Sequence, residues 1–302
     1  MKQTFYSNGK LLITGEYLVL DGAKALALPT KFGQSMHISP GIPQNISWTS
    51  YDSDGTVWFE STFTFEEIKS FQTLEKGIKK TLFEILSEAH KLNPEFLSDS
   101  KGYVIETHLT FPKNWGLGTS STLLANIAKW LEINPFQLLK NSFGGSGYDI
   151  ACAQNDTAIL YELRNELPYF TAVDFYPIFH ENLYFLYLNQ KQSSKTAIAT
   201  YLGKQKEKDR AIIEINQITA EILTTNSIQT FALAIDKHES LMSNILEMHT
   251  VKEALFQDFK GVIKSLGAWG GDFVLVVSKE NPKKYFEEKG YATLLSFSEM
   301  IL

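Results

Sequence analysis

Apolar and polar positions along the chain follow a strand period in some stretches and a helix period in others. LLIT at 11–14 is a compact apolar run, and QSMHIS at 34–39 and TVWFES at 56–61 are roughly alternating, so each predicts a strand. Leu74, Ile78, Leu82, Ile85 and Ala89 are spaced 4, 4, 3 and 4, the spacing of one apolar helix face. YVIETHL at 103–109 predicts a strand. STLLANIAKWLEI at 121–133 predicts a helix, buried because its residues are mostly small and apolar, and a second helix follows near 135–142. YDIACAQ predicts one or two helical turns, and TAILYEL at 157–163 a strand. The stretch 164–180, with Pro168 and Pro177, reads as loop. NLYFLYLN at 182–189 predicts a strand. A long helix is expected near 205–224, with Ile212, Ile215, Ile218 and Ile222 on one stripe. Another runs from about 228 to 246, capped by Asn226 or Ser227, and FVLVVS at 273–278 is a strand. Blocks of strands mixed with helices predict an α+β protein of two lobes, divided in the loop-like stretch into 1–168 and 169–302.

Composition narrows the class. The chain has 302 residues, 44% hydrophobic and 21% charged, which excludes a disordered chain, a collagen and a coiled-coil rod. No apolar run approaches the roughly 20 residues of a membrane helix, and MKQTFYSNGK has no signal-like apolar stretch. Lysine and arginine number 28 against 34 acids, a net charge of −6 that argues against a nucleic-acid partner. The single cysteine, Cys152, excludes an internal disulfide and cysteine-based zinc sites, and a cytoplasmic location is expected.

The first chemical signal is FPKNWGLGTSSTLLANIAKW. Gly116 and Gly118 allow close approach of a ligand to the backbone, and Thr119, Ser120 and Ser121 open the buried helix. A helix start offers N–H groups and the positive end of the macrodipole, both suited to phosphate. The hydroxyls add donors, or a ligand for a phosphate-bound magnesium ion. The loop lacks the GK of a Walker loop and the third glycine of a dinucleotide fingerprint. By itself it serves equally well as the cap of a core helix.

Three separated segments change that balance: SNGKLLITGEYLVLDGAKALALP at 7–29, PKNWGLGTSS at 112–121 and KSLGAWGGDF at 264–273. Their order resembles the GHMP kinase superfamily, whose members carry P-G-K-x-x-L-x-G-E followed by His or Tyr, then P-x-x-x-G-L-G-S-S, then G-A-G-G-G. GEYLVLDG (15–22), GSGYDIA (145–151) and GAWGGD (267–272) are most similar to the mevalonate kinase and phosphomevalonate kinase branch. The resemblance implies the two-lobed GHMP kinase fold, with an N-terminal nucleotide-binding lobe and a C-terminal sheet backed by helices. It implies phosphoryl transfer from ATP, with Mg2+, to mevalonate or 5-phosphomevalonate. The implied partner is a small molecule rather than a nucleic acid or membrane, and the oligomeric state stays open.

By that resemblance Asp149 receives, or electrostatically eases the loss of, the acceptor's proton, and Lys10 holds Asp149 ionised, stabilises the incipient alkoxide, or does both. Alone, Asp149 would read as a helix cap and Lys10 as a solvated loop lysine. The implied ATP contacts are Pro112, Gly116, Leu117, Gly118, Thr119, Ser120 and Ser121, with Ser120 also the metal ligand. The implied substrate contacts are Glu16, Tyr17, Ser146, Gly267, Ala268, Trp269 and Lys195. Lys10, Lys113 and Lys195 are the cations available to a phosphorylated acceptor.

The chain departs from the pattern at four places. Asn8 stands for the usual proline, Thr119 for the first serine and Trp269 for a glycine. Leu138 occupies the position where mevalonate kinases carry a magnesium-binding glutamate. Two alternatives therefore accompany the leading one: a kinase of another small alcohol, sugar or homoserine-like, and a non-catalytic metabolite sensor with a kinase fold.

Overall fold

The computed structural model describes residues 2–71, 77–191, 198, 201–203 and 208–302. The chain divides into two compact units that are discontinuous in sequence. Unit 1 comprises Met1–Gly9, Phe32–Lys113 and Leu117–Gln154, and unit 2 comprises Lys10–Lys31, Asn114–Gly116 and Asn155–Leu302. Two long strands, β1 (Gln3–Leu12) and β2 (Ala25–Pro40), each contribute residues to both.

In unit 1, β3 (Asn45–Tyr51), β4 (Val57–Thr64) and β5 (Tyr103–Leu109) join the second half of β2 in the order β4-β3-β5-β2. The pair β3–β5 is parallel and its neighbours are antiparallel. Ile46, Trp48, Phe63 and Ile105 line one face of this sheet and enter a core with Leu82, Ile85, Leu124 and Leu131. Those last four come from the helices α2 (Ile78–Leu92) and α3 (Thr119–Leu131), which follow a short α1 (Phe65–Lys69). The helix expected from Leu74 onward is α2; Leu74 lies outside the described residues, and Ile78 is half exposed at its first turn. After α3 comes α4 (Pro135–Ser142), where Asn134 accepts from the N–H groups of Phe136 and Gln137 at 2.9 and 3.1 Å. Unit 1 ends in α5 (Tyr148–Ala153), which packs on α3.

In unit 2, Ala25–Ala27 of β2 pair with β6 (Ile159–Arg164), which pairs with β7 (Leu167–Ala172). Here the expected loop over 164–180 is corrected. Asn165 and Glu166 both adopt positive φ (51° and 62°), the backbone of a two-residue hairpin turn. β7 is an edge strand, which tolerates Pro168 and buries no residue fully, so its sequence carries little apolar signal. A second sheet runs β11-β8-β10-β9, built from β8 (Leu183–Tyr187), β9 (Val262–Ser265), β10 (Phe273–Val277) and β11 (Leu294–Ser296). Every residue of β10 is buried, matching its unbroken apolar run. Helices α6 (Asp209–Thr224) and α7 (Ile228–Leu246) pack together, and α7 also lies on β9. Ser227, not Asn226, caps α7, accepting from Thr230 N–H at 3.3 Å. Three short helices, α8 (Val251–Leu255), α9 (Lys283–Glu288) and α10 (Phe297–Met300), complete the unit. Among the described residues no helix is long and apolar enough to cross a membrane.

Candidate active site

Unit 1 carries the start of α3 and the aspartate. Gly118 (φ 97°) occupies the cap position of α3, and no side chain caps that end. Its carbonyl accepts from Thr122 N–H at 2.9 Å, Thr122 Oγ1 at 3.0 Å and Ser121 Oγ at 2.9 Å. The Ser121 hydroxyl is thus used in folding the turn, while Thr119 is half-buried and Ser120 exposed. Leu117 is buried and Pro112 half-buried. Asn126 fixes the helix from behind, accepting from Ser7 Oγ and donating to Gln34 O, each at 2.9 Å. A helix start left uncapped by side chains suits an anion such as a phosphate group.

Asp149 is the second residue of α5; Gly147 (φ 88°) takes the cap position that Asp149 alone had suggested. The half-buried Asp149 carboxylate accepts from Ile150 N–H at 3.0 Å, and Ser146 just before it is buried. Lys113 donates its N–H to Asp52 at 3.0 Å, and its ammonium lies 5.9 Å from the centre of the Trp58 ring. Leu138 is fully buried in the core, and its hydrocarbon side chain has no donor atom for a metal. Among the described residues no group of three or more His, Cys, Asp or Glu is placed to hold a metal. The exposed Ser120 hydroxyl is an oxygen available to a metal ion.

Unit 2 brings together residues from all three motif segments. Lys10 Nζ donates to the Gly116 carbonyl at 3.1 Å. Gly116 has φ 71°, and a Cβ built there would lie 2.3 Å from Cγ of Asp272, so the carboxyl group occupies the space glycine leaves. The run GAWGGD is the loop of the β9–β10 hairpin, closed by Leu266 N–H on Phe273 O at 3.1 Å. Trp115 meets Phe273 edge-on at 5.3 Å, and Tyr187 Oη donates to Asn114 O at 3.1 Å, so residues 114–116 are pinned to this sheet.

Glu16 and Tyr17 are both buried, and their side chains engage the same hairpin loop. Lys264, fully buried on β9, donates to Glu16 and to Ser265 O, the latter at 2.8 Å. Burial pushes the Glu16 carboxyl up, while Lys264 and the Gly267 N–H favour its charged form. Tyr17 Oη accepts from Trp269 N–H at 3.1 Å, and burial raises the phenol pKa and keeps it protonated. Glu239 accepts from Ser265 N–H at 3.1 Å and Ser265 Oγ at 2.9 Å; burial pushes its carboxyl up to about 7. His238 Nε2 accepts from Gly15 N–H at 3.0 Å, with Glu16 Oε2 at 3.3 Å. Burial, then Lys264, holds the imidazole well below its ordinary pKa, so it is neutral and the contact with Glu16 is not an ion pair. Gly15 has φ 86°, and a Cβ there would meet Ala25 and the Lys24 carbonyl at 2.8 Å, so the turn demands glycine.

Ala268 and Trp269 are buried, and among the described residues nothing lies within 4 Å of where a Cβ on Gly267 (φ 70°) would stand. The Trp269 indole N–H is buried with no hydrogen-bond partner among the described residues. Lys195 lies outside the described residues. Sequence reasoning missed Lys264, His238 and Glu239. The one signal for Lys264 was a charge interrupting the apolar stretch VIKSLGAW.

No protein-family model and no curated protein matches the chain. Solved structures do. The mevalonate kinase of Methanococcus jannaschii is 18% identical with a TM-score of 0.71, covering 96% of this chain and 95% of its own. Streptococcus pneumoniae phosphomevalonate kinase in complex with phosphomevalonate and AMPPNP is 16% identical with a TM-score of 0.71, covering 97% and 99%. Lactococcus lactis galactokinase complexed with galactose is 12% identical with a TM-score of 0.70, covering 98% and 92%. At these identities the likeness is one of fold: the chain has the α+β GHMP kinase fold over nearly its whole length.

Proposed function

We propose that this chain is an ATP-dependent small-molecule kinase of the mevalonate pathway, acting on mevalonate or 5-phosphomevalonate. The observation that carries the reading is the meeting of Lys10, Gly116 and Asp272 in unit 2, one residue from each motif segment. The shared fold and the GSGYDIA segment around Asp149 support it further.

On this reading the ATP phosphates rest on Gly118 and the first-turn amides of α3 in unit 1. A magnesium ion bound with ATP would be held by the Ser120 hydroxyl and would neutralise phosphate charge. The bond from the γ-phosphorus to ADP breaks as one forms to the acceptor oxygen, and ADP leaves. With an alcohol acceptor, Asp149 takes the proton; a phosphate dianion has no such proton to lose. Gly267, Ala268 and Trp269 are the acceptor contacts that unit 2 offers. Glu16 and Tyr17 serve the acceptor through the loop they hold.

A coupled ADP-release assay with both compounds tests the assignment. Turnover of one of them is expected. Turnover of neither, with a sugar or homoserine active instead, would move the chain to another acceptor. Trp269, buried where the related pattern has glycine, favours testing that panel. ATP binding without transfer to any acceptor would refute the kinase.

A further inference from the structure

The hairpin loop 267–272 stands on a cluster of buried ionisable side chains for which a turn has no intrinsic need. Three alternate residues on its entering side are each served from another part of unit 2. Ser265 gives its N–H and hydroxyl to Glu239 of α7. Gly267 turns its N–H to the Glu16 carboxyl, and Trp269 gives its N–H to Tyr17. Lys264 joins two of these anchors, donating to Glu16 and to the Ser265 carbonyl. The charged or titratable groups facing one another here are Lys264 from β9, Glu16 from the segment after β1, and His238 and Glu239 from α7.

A buried ion pair is a poor device for stability alone, because well-packed apolar residues of similar volume usually stabilise a fold as much or more. Such a pair does fix direction. A short ammonium-to-carboxylate contact ties the backbone at 265 to the side chain at 16, and its neighbour Tyr17 ties the backbone at 269. The loop between is thereby specified at three points while space stays open at Gly267.

We propose that Glu16, Lys264 and Glu239, with the Tyr17 hydroxyl, are positioning residues that set the conformation of the 267–270 loop and, through it, the affinity for the acceptor. The second half of this statement rests on the kinase reading; the first does not.

Two variants test it without leaving a buried charge unpaired. Tyr17→Phe removes one hydroxyl, and the double variant Glu16→Gln/Lys264→Met removes the ion pair while keeping the cluster neutral. Amide hydrogen exchange reads the loop directly. The expected result is faster exchange across 265–270, by about tenfold for the loss of one hydrogen bond. Val274–Val277 in β10 should stay protected, showing that the fold persists. In steady-state kinetics the acceptor KM should rise by about tenfold or more. The KM for ATP should hold, and kcat should fall less than the acceptor KM rises. Unchanged loop exchange in the folded double variant would overturn the proposal. So would loosened exchange with an unchanged acceptor KM. If the unaltered chain phosphorylates nothing, the kinase reading fails, and the exchange experiment still decides whether the cluster holds the loop.

Discussion

Glu239 gives the sharpest thermodynamic test of the site. Its carboxyl is 2% exposed, and burial, opposed by Lys264 and by both hydrogen bonds from Ser265, leaves its pKa near about 7 against an ordinary 4.5. The folded chain therefore keeps a proton that the unfolded chain releases. Stability contributed by this group is full below 4.5 and is lost as pH rises through about 7. The loss follows from the shift: a difference of 7 − 4.5 = 2.5 at about 1.4 kcal/mol per unit gives about 3 kcal/mol. Glu239→Gln removes the titration with little change of shape. Its carbonyl can accept from Ser265 N–H and its amide can donate to Ser265 Oγ, the hydroxyl turning to suit. Urea unfolding of both proteins from about pH 4.5 to about pH 8 isolates the residue, because Glu16 and every other group is common to the two. The variant should gain on the parent by about 3 kcal/mol across that range, most of it below about pH 7. A difference independent of pH would show that Glu239 is already ionised in the fold, and the reasoning from burial would be wrong.

The remaining predictions concern the proposed chemistry. With an alcohol acceptor, Asp149→Asn should lower kcat by about 10²- to 10⁴-fold in steady-state assays while leaving ATP affinity and Tm nearly intact. Gly116→Ala places a methyl against the Asp272 carboxyl at a φ of 71°, so it should lower stability by at least about 1–2 kcal/mol and raise the KM for ATP. Ser121→Ala removes the hydroxyl that bonds Gly118 O and should cost about 1 kcal/mol in denaturant unfolding. Ser120→Ala, at an exposed position, should leave unfolding unchanged and raise the KM for MgATP.

The sequence was most legible where one periodicity ran uninterrupted. The α7 helix begins and ends where its pattern does, at Ile228 and Leu246, and β10 matches its apolar run. It was least legible at sheet edges and in strands rich in serine and threonine. β3, NISWTSY, alternates in burial, but its outward residues are polar and the inward Ser50 weakens the apolar stripe. The edge strand β7 has no buried face to pattern, so Leu167–Ala172 looked like loop. The sequence also could not show that strands β1 and β2 each serve two compact units, because periodicity reports how a segment is covered and not what it pairs with.

The candidate site divides along a similar line. Residues whose chemistry depends on backbone conformation were legible, because glycine is a visible marker: Gly116, Gly118, Gly147 and Gly267 all adopt positive φ. Residues that act by being buried were not. Lys264, Glu239 and His238 look like ordinary surface residues in a sequence, since nothing in an isolated lysine says that a carboxylate 248 positions away will meet it. The buried cluster also bears on Trp269. Its backbone N–H is held by Tyr17 while its indole N–H is buried without a partner among the described residues, a state that carries a penalty of about 1–3 kcal/mol. That cost falls in the same loop whose backbone the buried cluster holds at Ser265 and Trp269.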